Sequence, residues 1–153
     1  MRDKFISQRI GYSQDARPLY ESLVATSTTD PESKPFKTQK DLFIAAACIG
    51  SMLGEYDERK KPFKNIPANA LDEKLDLPVL LALAYRYSGE DLEVVFDAGR
   101  VIEIAEGLAE AGVAYLQRIV GSEGTGMNPI ERIVNMLLES PGDIADWTQI
   151  SAD

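Results

Sequence analysis

Histidine is missing from the chain altogether. Its absence removes the Ser-His-Asp triad, the Cys-His dyad and every zinc or iron site built on imidazole. Cysteine occurs once, as Cys48, so neither an intrachain disulfide nor a cysteine cluster for a metal can form. Long apolar runs are also lacking: none reaches the ~18 residues that span a bilayer. The opening Met1-Arg2-Asp3-Lys4-Phe5 carries no apolar signal-peptide core. A cytoplasmic protein is the expectation.

What is present suits one folded domain. The chain has 153 residues, of which 44% are hydrophobic and 27% charged. Its net charge of −9 is unevenly spread: residues 1–33 carry −1, residues 34–64 carry +3, and residues 65–153 carry −11. A surface like the last repels a phosphate backbone. Any nucleic-acid footprint therefore falls on Lys34, Lys37, Lys40, Arg59, Lys60, Lys61 and Lys64. The plainer reading of Arg59-Lys60-Lys61 is a set of solvated loop charges.

Apolar spacing predicts helices through most of the chain. Pro18 opens one over 18–25. Thr38 is a candidate N-cap, with Asp41 in the first turn, for a helix over 39–53. That helix is apolar almost all round and so is expected at the centre, with Ala and Gly allowing close neighbours. Residues 55–76 read as a charged, Pro-interrupted connection. Asp76 is the expected cap of a helix over 77–88, whose buried stripe is Leu77, Leu80, Leu81, Ala84 and Tyr85. Asp91 opens a short helix, and Asp97 the longest, over 98–120. Asn128-Pro129-Ile130-Glu131 marks a last helix start. The expected fold is all-α, a single-domain bundle of five or six helices, with room for a short N-terminal strand. Its parts are an extended N-terminal arm (1–16), the helical domain (17–140) and an acidic C-terminal tail (141–153). In the tail, Ile144, Trp147 and Ile150 recur every third residue, as a short docking turn or a partner contact would.

Chemistry-bearing motifs fail on inspection. Gly121-Ser122-Glu123-Gly124-Thr125-Gly126 is followed by Met127 and Asn128, not the Lys-Ser/Thr of a phosphate loop, and it follows a helix. Glu103, Glu106 and Glu110 share one side of the long helix, but di-iron bundles pair Glu with His, and a solvated acidic face is the plainer reading. Asp72 to Asp76 lacks the alternation and glycine of a calcium loop. Cys48 sits mid-helix among Ala and Ile, where burial makes a thiol inert. Ser51 and Tyr56 have no basic partner at a readable spacing. Tyr85 and Tyr115 suit the core, whereas Tyr87 lies off the apolar stripe and suits a partner. No catalytic residue, metal ligand or cofactor is assigned.

Three segments read together resemble the DNA phosphorothioation-associated protein 4 family. They are Phe36 to Gly54, Leu80 to Tyr85, and Ile102 to Leu116. The resemblance covers about residues 17–139 and carries no catalytic residues. It implies a setting: bacterial systems that place sulfur in the DNA backbone and restrict unmodified DNA, served here in an accessory role. The expected function is a non-enzymatic accessory or regulatory protein of such a phage-defence system. It would act by protein–protein contacts through Glu103, Glu106, Glu110, Tyr87 and Trp147. The partner would be a protein component of the modification or restriction complex, with no membrane involved. The alternative is a small DNA-binding regulator, in one arrangement a homodimer, using the basic 34–64 segment. A carboxylate-and-metal enzyme is a third reading.

Overall fold

A computed structural model describes residues 4–5, 7–26, 34–58, 62–121 and 128–139. Among these the helix signals are realised locally. Thr38 Oγ1 accepts the Asp41 amide at 3.2 Å, and the Asp41 carboxylate accepts the Thr38 amide at 3.0 Å. This reciprocal box starts helix α2, Gln39–Leu53, after the shorter α1, Arg17–Leu23. Asn128 and Glu131 form the same box at the start of α5, Pro129–Glu139. Asp97 Oδ1 accepts the Arg100 amide at 3.1 Å at the head of α4, Ala98–Gly121.

Asp76 does not cap α3, Asp76–Tyr87; it is the helix's first residue. Its carboxylate instead takes the Asp72 amide and the Lys40 ammonium, each at 2.6 Å. The turn before α3 is held by Asp72, whose Oδ1 accepts the amides of Lys74 and Leu75. Asp91 caps as expected, but the short helix Leu92–Phe96 is of the tighter 3-10 kind.

The described residues thus form five α-helices, two 3-10 turns and one two-stranded sheet. Strand β1, Arg9–Ser13, pairs antiparallel with β2, Pro62–Pro67, with Ile10 opposite Ile66 and Gly11 opposite Lys64. The register slips between Ile10 and Gly11. The expected N-terminal strand is therefore present, and its partner lies inside the stretch read as a connection. Prolines at both ends and little alternation hide β2, because Pro is tolerated at the start of a strand and on an edge. Phe5, Ile10 and Tyr12 are buried, so the N-terminal segment is part of the core.

The core is organised on α4. Its middle is buried almost all round, including Val101, Ile104, Ala105, Leu108, Ala109, Val113 and Leu116. Helix α2 crosses it with the backbones in contact. A Cβ on Gly112 would lie 1.9 Å from the Ala46 carbonyl oxygen, and one on Gly50 would lie 2.0 Å from that of Leu108. The small residues of α2 thus do permit close approach, but α4, not α2, is the central helix. Cys48 is half-buried, and burial raises the pKa of its thiol.

Candidate functional site

Glu106 and Glu110 stand one turn apart on α4. Glu106 Oε1 accepts the Gly11 amide at 2.7 Å, and Glu110 Oε2 accepts the Ser13 amide at 3.3 Å. Four residues of helix rise ~6 Å and two residues of strand ~6.6 Å. The i,i+4 spacing on the helix therefore matches the i,i+2 spacing of β1, and the two carboxylates grip the strand. Glu106 is 8% exposed. It is not part of a solvated face, and Glu110 is only half-exposed. Of the three glutamates Glu103 is the exposed one, paired with Arg100 at 2.7 Å. That pairing raises the pKa of Arg100.

Glu103 and Glu106 also belong to a cleft of about 310 Å³, whose other lining residues are Tyr56, Asp57, Glu58 and Gly107. The residues after α2 form one side of it, because the Asp57 amide donates to the Gly107 carbonyl at 3.1 Å. Tyr56 lies directly over Gly107: a Cβ there would be 2.1 Å from Tyr56 Cε2 and 2.3 Å from Cζ. The missing side chain is the ring's seat. Tyr56 in turn stacks on Tyr87 of α3, with centroids 4.6 Å apart and planes 27° apart. Burial, then the neighbouring Tyr87 and Glu103, raise the pKa of Tyr56. Tyr87 is 42% exposed and lines a second, smaller groove with Ser51, Gly54, Glu55, Arg86 and Leu108. The stacked pair thus gives Tyr56 to one depression and Tyr87 to the other. Exposed Met52 and Leu53 end α2 in the same stretch of chain.

The structure therefore brings Glu103, Glu106 and Tyr87 to one place and adds Tyr56, Asp57 and Glu58. The sequence carries no local sign of Tyr56 as a wall residue, since its seat, Gly107, is about fifty positions on. Trp147 lies outside the described residues.

Among the described residues, two of the basic candidates are engaged locally. Lys40 is bound to Asp76, and that hydrogen bond raises its pKa. Lys34 Nζ donates to the Glu21 carbonyl at 2.6 Å. Lys37 is exposed, and Lys64 sits in β2 opposite Gly11. Arg59, Lys60 and Lys61 lie outside the described residues.

A cleft of carboxylates with an aromatic wall can bind a cation through charge, and a guanidinium or ammonium through the tyrosine faces as well. Among the described residues no group of three or more Asp, Glu or Cys side chains is placed to hold a metal ion. Among them, too, no helix is long and apolar enough to cross a membrane. Comparison with protein-family models, curated proteins and solved structures finds no match to the chain.

Proposed function

We propose that the chain is a non-enzymatic accessory protein of a bacterial DNA phosphorothioation and phage-defence restriction system. It works by docking a basic segment of a DNA-handling protein. The cleft supports this reading most: Asp57, Glu58, Glu103 and Glu106 line it together with Tyr56, which is itself stacked on Tyr87. Lysine and arginine side chains that meet DNA phosphates elsewhere would meet carboxylates here, so occupancy of the cleft would compete with DNA for the partner. The setting rests on the three segments that resemble the phosphorothioation-associated family. The DNA-binding reading is weaker, because Lys34 and Lys40 are committed to Glu21 and Asp76.

Co-purification of the intact chain with the proteins encoded beside it tests the proposal. A basic partner should be retained at low salt and released as salt rises, while duplex DNA is not retained. Failure to recover any neighbouring protein, together with salt-sensitive DNA binding, would reverse the choice.

A further inference from the structure

The carboxylates of the cleft are not equally supplied with counter-charge. Among the described residues Glu103 is paired with Arg100, whereas Asp57 and Glu58 form no ion pair. Both are exposed and share the cleft with the half-buried ring of Tyr56. Its polar groups come from two elements. The connection after α2 supplies Tyr56, Asp57 and Glu58, and α4 supplies Glu103 and the buried Glu106.

One guanidinium already sits on this surface. Arg100 Nη1 donates to Glu103 Oε2 at 2.7 Å. Glu103 raises the pKa of Arg100 most, and Tyr56 and Tyr87 add to the rise, so both rings lie within its electrostatic reach. The Tyr56 hydroxyl is raised by burial first and then by Tyr87 and Glu103; Arg100 opposes the rise and Glu58 adds to it. A cation, two tyrosines and carboxylates from both elements thus act on one another here.

We infer that the cleft selects an arginine side chain of its partner over a lysine. The inference rests on the docking reading and narrows it. An ammonium is a compact, strongly hydrated charge and gains from the carboxylates alone. A guanidinium is planar, less strongly hydrated, and carries five donors in a fixed fork. It takes one carboxylate through two parallel bonds, keeps donors for a second acceptor, and lies against aromatic surface. Asp57 and Glu58 supply the first, the Tyr56 hydroxyl the second, and the Tyr56–Tyr87 pair the third. Glu103 is already engaged by Arg100, so the two exposed carboxylates of the connection meet the incoming fork.

Hexa-arginine and hexa-lysine have equal charge and length, so comparing them cancels the long-range attraction. Each is titrated at low salt into the isotopically labelled intact chain and followed by NMR. Hexa-arginine should bind about fivefold tighter or more, with shifts centred on Tyr56, Asp57 and Gly107. Tyr87→Leu, at an exposed position, and Tyr56→Leu are first checked for a cooperative thermal transition. Each should bring the two dissociation constants within about twofold, chiefly by weakening hexa-arginine. Asp57→Lys/Glu58→Lys should weaken both peptides. Equal constants in the unmodified chain, both weakened by charge reversal, would overturn selection of arginine and leave the docking reading standing. A preference undiminished in both tyrosine variants would also overturn it, because the rings would then have no part in the choice. Binding of neither peptide would remove the docking reading and this inference together.

Discussion

Replacing Gly107 by Ala separates the wall of the cleft from the frame of the fold. The new methyl would fall 2.1 Å from Tyr56 Cε2, 2.3 Å from Cζ and 2.8 Å from Cδ2. Carbon atoms settle at about 3.5–4.0 Å, so the ring must move by ~1.5 Å. The Tyr56 backbone cannot slide away easily, because the Asp57 amide is tied to the Gly107 carbonyl. The ring therefore swings outward and leaves Tyr87. Losing the stack costs about 0.5–1.5 kcal/mol. Re-exposing ~50 Å² of ring costs about 1.3 kcal/mol more. Alanine in a helix interior returns about 0.5–1 kcal/mol relative to glycine. The net loss is about 1–2 kcal/mol, which lowers Tm by roughly 3–6 °C at this chain length. Gly112→Ala meets backbone, the Ala46 carbonyl at 1.9 Å, and can be relieved only by moving α2 off α4. Overpacking of that kind costs about 3 kcal/mol or more. Thermal unfolding of both variants, with the ring resonances of Tyr56 and Tyr87 followed by NMR, checks the ranking. Gly107→Ala should keep a cooperative transition, lose the mutual ring-current shifts, and return the Tyr56 hydroxyl toward its ordinary pKa. Equal destabilisation by the two variants, or unchanged ring shifts in Gly107→Ala, would refute a displaceable tyrosine seated on that glycine.

The remaining expectations concern the frame. Glu106→Ala removes the acceptor of the Gly11 amide and should cost about 1–3 kcal/mol by urea unfolding, with Glu106→Gln retaining part of that stability; a loss below ~0.5 kcal/mol would deny the clamp a role. Tyr20 is 1% exposed, its hydroxyl has no hydrogen-bond partner among the described residues, and its ring stacks on Tyr12 at 3.9 Å, so Tyr20→Phe should be neutral or stabilising by about 1 kcal/mol. Burial, reinforced by Tyr12 and Glu110, raises the Tyr20 pKa above 10.0. The unfolded chain therefore releases this proton first. Stability is complete below pH ~10 and falls as pH climbs beyond it, and Tyr20→Phe should flatten that fall in alkaline unfolding curves. Lys40→Met breaks the partly buried pair with Asp76 and should lower stability by about 1 kcal/mol without altering any retention on DNA.

Features set by neighbouring residues were legible in the sequence. The Thr38–Asp41 and Asn128–Glu131 boxes, the Asp97 cap and the extent of α4 follow from residues three or four positions apart, so a linear reading reaches them. The crowded α2–α4 crossing was legible in kind, because Ala and Gly are the residues that allow it, though not in which helix is central. The Glu106 clamp was not legible. Its i,i+4 spacing with Glu110 is also that of a solvated face, and the partner amide is 95 positions away. Strand β2 was hidden by its prolines, and Lys40 looked free because Asp76 is 36 positions on. Half of the candidate cleft was visible as glutamates and an off-stripe Tyr87. The other half, Tyr56 with Asp57 and Glu58, is delivered by a connection whose path is decided by the seat at Gly107.

The dissociation constant of the co-purifying basic partner, measured for the unmodified chain and for Asp57→Lys/Glu58→Lys, tests docking at the cleft most directly. These two side chains are exposed, so the fold should be kept. Juxtaposed like charges cost several kcal/mol, and reversal should weaken binding by about 30-fold or more, chiefly through slower association and a shallower salt dependence. Affinity unchanged within about twofold at low salt, where surface electrostatics are strongest, would place the contact elsewhere on the molecule.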